Sequence, residues 1–84
     1  VNVIGEVGEK MAENIEIKTD QITLGQFLKL ANVVESGGMT KLFLSEFAVY
    51  INGEQDQRRG RKLKVNDVVE IQEFGTFRVA KNDE

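Results

Sequence analysis

The chain has no cysteine and no histidine. The first absence excludes disulfides and thiolate metal sites. The two together remove the strongest nucleophile and the most versatile general base. Carboxylates remain, but they are scattered along the 84 residues and offer no candidate catalytic pair. No apolar run approaches the ~20 residues of a membrane span. The N-terminus shows no basic segment followed by an apolar one, as a secretory signal would. Phosphate-loop, zinc-protease and EF-hand spacings are missing too. The expectation is a non-catalytic, cytoplasmic protein without cofactor, metal or membrane partner.

What remains is enough for one small core, since 40% of the residues are hydrophobic, well above a disordered composition. Charge is the more informative property. The net charge is −3, yet five of the eleven cationic side chains lie within seven positions: Arg58, Arg59, Arg61, Lys62 and Lys64. A run this dense repels itself unless water, carboxylates or a polyanion compensates it. Residues 21–71 hold seven bases against six acids. A near-neutral core with one concentrated basic segment suits a focused contact with RNA better than a general coat on DNA.

Residues 1–14 have weak periodicity and are expected to be a flexible N-terminal segment. Met11-Ala12 is a candidate native start, which would make the first ten residues an upstream remnant. Ile15-Glu16-Ile17-Lys18 alternates, which suggests a short edge strand or tether. Leu24, Phe27, Leu28 and Ala31 fall at i, i+3, i+4 and i+7, one apolar helix face, with Thr23 placed to cap it. Ser36-Gly37-Gly38 breaks that helix and opens a second, from about Met39 to Phe47, capped by Ser36 or Gly38. Met39, Leu42, Phe43 and Phe47 form its expected apolar face, while Lys41 and Ser45 share another.

From Val49 the period becomes two, with Val49 and Ile51 pointing one way and Tyr50 and Asn52 the other. Asn52-Gly53 signals a type I′ hairpin, with a weak return strand over 55–57. After the basic loop, Asn66-Asp67 turns into a β-branched strand over 68–71. A last hairpin near Phe74-Gly75 returns through 76–79, and 81–84 is expected to be a frayed tail. The outline is an α+β domain over 15–80: two packed helices followed by a small, mostly antiparallel β-sheet.

Helix, tight turn, helix, then a strand ending in Val-x-x-Asn-Gly is an informative order. Residues 22–71 resemble the RNA-binding domain of the ribosomal small-subunit protein four type, through Leu24, Phe27-Leu28, Ala31, Ser36, Lys41, Val49, Asn52-Gly53 and the run from Asp67 to Ile71. Over most of the chain, the segments Gln26-Phe27-Leu28-Lys29, Ser36-Gly37-Gly38, Val49-Tyr50-Ile51-Asn52-Gly53-Glu54 and Arg58-Arg59-Gly60-Arg61-Lys62-Leu63 look like the short stand-alone YaaA/YbcJ-type members. The resemblance implies a surface of two helices and a hairpin that grips structured RNA, ribosomal RNA or a ribosome-assembly intermediate above all, through residues at the helix starts. Many relatives begin the first helix with Arg-Leu-Asp and the second with Ser-Arg or Thr-Arg. Here Thr23-Leu24-Gly25 and Ser36-Gly37 stand instead. Two expected cations are missing, which shifts the electrostatic role to Lys41 and the loop at 58–64.

The candidate RNA-binding residues are therefore Arg58, Arg59, Arg61, Lys62, Lys64, Lys41, Ser36, Gly37, Gly38 and Tyr50. Arginine's planar fork can bond phosphates and base edges bidentately, and Gly60 would let main chain approach a phosphate. The Ser-Gly-Gly turn serves helix packing first, with a phosphate contact as an addition. Tyr50 would either stack on an unpaired base or cover the second face of the sheet. Lys29 reads as a solvated charge. Two other readings of the basic loop are open. It could be a solvated turn paired with Glu54 and Asp56, although surface ion pairs contribute only ~0–1 kcal/mol and leave three arginines in four residues unexplained. It could also be the docking element of a protein-interaction adaptor with an acidic partner.

Overall fold

A computed structural model of the chain describes residues 12–82. The period-two stretches form one twisted sheet, in the spatial order β1 (Glu13–Ile17), β7 (Gly75–Lys81), β6 (Val68–Ile71), β3 (Val49–Ile51) and β4 (Glu54–Gln55). All neighbours are antiparallel except β1 and β7. Because side chains alternate across a strand, Val49, Ile51, Val69, Ile71, Phe77 and Val79 share one buried face with Ile15 and Ile17. Tyr50, Glu70 and Arg78 occupy the opposite, exposed face. Asn52 and Gly53 make the expected tight hairpin, both at positive φ (53° and 89°), and pair Ile51 with Glu54. The return strand is thus Glu54–Gln55 rather than 55–57.

A second, two-stranded ribbon pairs β2 (Gln21–Thr23) with β5 (Lys62–Lys64). Neither strand is expected from the sequence, because each is held as a strand by pairing with the other across about 40 residues, and β5 turns the end of the expected basic loop into a strand. The helices α1 (Leu24–Leu30) and α2 (Thr40–Glu46) follow these first two strands. The fold is α+β, but the helices do not lead it. The short strand expected over Ile15–Lys18 is β1, and it is an edge strand as expected, completed by β7 at the far end of the chain and burying Ile15 and Ile17.

Thr23 caps α1 in a full capping box: its hydroxyl accepts from the Gln26 amide, and the Gln26 side-chain carbonyl accepts from the Thr23 amide. Leu24, Phe27 and Leu28 are fully buried, and Phe27 meets Phe77 edge-on, with ring centroids 6.2 Å apart. Asn32, at φ 61°, ends the helix in the left-handed region that asparagine tolerates. A 3₁₀ turn, Gly37–Met39, precedes α2, so Met39, not Ser36 or Gly38, is the residue before its first turn.

The apolar face of α2 also differs from expectation. Thr40, Phe43 and Leu44 are buried, whereas Met39 and Leu42 are 46% and 59% exposed. The helix is apolar on two sides, and the buried threonine hides which side the core uses. At the chain ends, Ala12 precedes β1 and Glu13 and Asn14 lie in it, while residues 1–11 of the expected N-terminal segment lie outside the described residues. Lys81 closes β7 opposite Ile17, and the Asn82 amide donates to the Ile17 carbonyl. The rest of the expected tail, residues 83 and 84, lies outside the described residues.

Candidate nucleic-acid interface

The basic segment is clasped to the start of α1 by main chain rather than by charge. The Leu24 amide donates to the Arg61 carbonyl (2.7 Å), and the Gly25 amide donates to the Arg59 carbonyl (3.0 Å). Both amides belong to the first turn of a helix, where no intrahelical acceptor exists. The ribbon continues the clasp, with Thr23 opposite Lys62 and Gln21 opposite Lys64. Leu63, fully buried between those two lysines, roots the segment in the core. Gly25 is what permits this approach. A Cβ there would lie 2.9 Å from Cγ of Arg59 and 3.4 Å from its carbonyl oxygen. Glycine at position 25 therefore makes room for the basic segment itself.

The segment's other end is fixed to α2. The Gln57 side-chain amide donates to the carbonyls of Leu44 (2.6 Å) and Phe47 (3.2 Å) at the helix's C-terminal end. Between these anchors the chain turns tightly, with the Arg61 amide donating to the Arg58 carbonyl.

Inside the turn, Asp56 divides the arginines into two groups. Arg58 donates to Asp56 from its main-chain amide and twice from its guanidinium, and Arg61 donates through Nη1 at 2.7 Å. The Arg58 hydrogen bond, helped by Arg61, holds the Asp56 carboxyl far below the ordinary carboxylate range, and the same contact raises Arg58. The Asp56 side chain is only 10% exposed, and two of the three arginines brace the loop by bonding to it, Arg61 half-buried and Arg58 from the solvent side. The pairing expected of a structural turn is thus present for Arg58 and Arg61, with Asp56 and not Glu54 as the partner. Arg59 is different. Its carbonyl is engaged by Gly25, its side chain is exposed, and no carboxylate among the described residues pairs with it.

Arg59 lies where two clefts meet. One is lined by Thr23, Gly25, Gln26, Lys29, Gly37, Thr40 and Gly60 along with Arg59. The other is lined by Lys41, Leu44, Ser45, Gln57 and again Arg59. The structure thus brings together Arg59, Lys41 and Gly37 from the sequence candidates and adds Lys29, which had read as a solvated charge. Its signal was present in the three-residue spacing of Thr23, Gln26 and Lys29, one polar helix stripe. Ser36 and Gly38 flank Gly37 and are exposed. Lys62 and Lys64 project together from β5, opposite buried Leu63.

Tyr50 is not part of this assembly. It stands on the outer face of the main sheet, opposite Glu70 on one side and Gln55 on the other. The shallow concavity it lines also contains Glu73.

Chemically, the clefts offer two ammonium groups and one guanidinium with no carboxylate among the described residues paired to them, beside glycines that leave main chain accessible. That suits spaced phosphates. No cluster able to hold a metal ion occurs among the described residues, and no helix there is long and apolar enough to cross a membrane.

Comparison with known proteins agrees with this architecture. The S4 domain family matches residues 15–80. A protein of Bacillus subtilis (strain 168) named "Probable ribosome maturation protein RlbA" is 65% identical over 69 residues, which cover 82% of this chain and 97% of that protein. The match spans the capped α1, the Ser-Gly-Gly turn into α2, the Asn-Gly hairpin and the basic segment, and the chain belongs to the S4 domain family.

Proposed function

We propose that the chain is a non-catalytic RNA-binding protein that grips structured RNA in the cytoplasm, either ribosomal RNA or a ribosome-assembly intermediate. The single observation that carries this reading is Arg59. The Gly25 contact holds its backbone, no carboxylate among the described residues pairs with it, and it lies between the Lys29 and Lys41 clefts. Membership of the S4 domain family and the 65% identical relative named as a ribosome maturation protein support the same reading. Recognition is by shape and phosphate spacing, as is usual for folded RNA. Lys29, Lys41 and Arg59 contact phosphates, and Lys62 and Lys64 extend the contact along the ribbon. Arg58 and Arg61 contribute mainly by holding the loop in place.

Titration of ribosomal RNA into the purified chain at several salt concentrations tests this. Three to four neutralised phosphates give a slope of log K against log salt of roughly −2 to −4. Arg59→Ala is expected to weaken binding and flatten the slope by about 1. A salt-independent affinity, or an unchanged one in Arg59→Ala, would refute the reading. A nuclease-resistant complex with an acidic protein, lost in Arg59→Ala, would favour the adaptor instead.

A further inference from the structure

The far side of α2 from Lys41 carries a second surface of opposite character. Val33, Val34, Met39, Leu42, Phe43 and Phe47 line a groove, which Phe74 borders from the β6–β7 turn. The rings of Phe43 and Phe47 stack with centroids 4.7 Å apart, and Phe74 meets both edge-on at 5.3 and 5.4 Å. These contacts make the floor rigid, yet the walls are open: Leu42, Met39 and Phe74 are 59%, 46% and 46% exposed. An apolar patch of this kind on a small protein, rimmed by polar residues, marks a contact surface.

The rim identifies the partner. Glu35 and Glu46 line the groove, and no lysine or arginine among the described residues lines it. Neither carboxylate is ion-paired among the described residues. A phosphate backbone or an anionic lipid surface would be repelled there. A second copy packed through the same face would set the glutamates against one another. A cationic segment with apolar side chains satisfies both parts of the groove.

We propose that this groove docks a Lys/Arg-rich amphipathic segment of a partner protein, with apolar side chains seated on Leu42 and the phenylalanine floor and cations on Glu35 and Glu46. The groove and the Arg59 clefts use different sides of α2, so the partner and an RNA are bound together without competing. The inference does not depend on the RNA reading.

The probe is a synthetic helical peptide with leucines at i, i+3, i+4 and i+7 and lysines elsewhere, titrated into the isotopically labelled full chain and followed by amide chemical shifts. Saturable shifts are expected at Met39, Leu42, Glu46, Phe47 and Phe74 and not at Arg59 or Gly60. Leu42→Ser, and separately Glu35→Lys with Glu46→Lys, should weaken binding by about tenfold or more, as central anchors do. All three positions are exposed, and thermal melts of each variant verify that the fold is kept. Equal binding of the peptide with glutamate in place of lysine, shifts confined to the basic segment, or no saturation at millimolar peptide would overturn the proposal. A dimer of the chain alone that Leu42→Ser dissolves would overturn it as well, in favour of a second copy. Ribosomal RNA affinity of Leu42→Ser, expected to be unchanged, keeps the fate of this proposal separate from that of the RNA reading.

Discussion

The two sides of α2 are built from similar amounts of sequence and held together by different physics. On one side, the basic segment is positioned by polar bonds: two first-turn amides of α1, the Gln57 side chain and the Asp56 carboxylate. On the other, the groove is positioned by three packed rings, with acids at its edge. Self-repelling cations have to be tied down by directional bonds, whereas apolar side chains hold themselves in place. A seven-residue helix with one buried side can serve both because its remaining positions point to different neighbours.

The largest expected effect contrasts two leucines that composition cannot tell apart. Leu63 is fully buried beneath the basic segment, and Leu42 is 59% exposed in the groove. Leu63→Ala should cost about 2–5 kcal/mol in urea unfolding, enough to threaten the fold of so small a domain. Leu42→Ala should change stability by no more than ~0.5 kcal/mol. Similar losses at both sites would mean that the groove is part of the core.

A smaller effect is expected at the clasp. Gly25→Val places a side chain against Cγ and the carbonyl of Arg59 and should cost roughly 1–3 kcal/mol, as overpacking does. Ribosomal RNA affinity should fall with it, while the peptide-binding groove should be unaffected. A Gly25→Val chain with intact RNA affinity would show that the clasp does not matter to the interface.

The smallest effect concerns the brace inside the loop. Asp56→Asn removes the charge that Arg58 and Arg61 share and should cost about 1–2 kcal/mol at neutral pH. The folded-state pKa of Asp56 lies below its unfolded value of about 3.9. Its contribution is therefore fully present above that value and is lost as pH falls toward the folded pKa. The stability gap between the native chain and Asp56→Asn should stay constant from pH 7 to about 4 and then narrow. A gap that narrows already between pH 7 and 5 would rule out Asp56 as the cause.

Much of the fold was legible because its signals were local. Thr23 as cap, the apolar positions 24, 27 and 28, and Asn52-Gly53 as hairpin all act within a few residues. The resemblance to the S4-type domain rested on those same positions. The failures share one cause. Which side of α2 faces the core depends on where the sheet lies, so Met39 and Leu42 were misplaced and Thr40 and Leu44 overlooked. β2 and β5 were missed because each is strand only in the presence of the other. At the interface, the density of Arg58, Arg59 and Arg61 was plain, but their division of labour was not. Nothing in their order distinguishes Arg59 from its neighbours until Asp56 takes the other two.

A capped helix, a Ser-Gly-Gly turn, a type I′ hairpin and a concentrated basic segment can all be read from residue order alone, because each follows from side-chain sterics and charge over short separations. The pairing of β1 with β7, the room that Gly25 makes for the basic segment and the place of Arg59 between the Lys29 and Lys41 clefts come only with folding. So does the apolar side of α2 that stays open. These depend on which distant stretches become neighbours when the core closes, and that is a property of the whole chain.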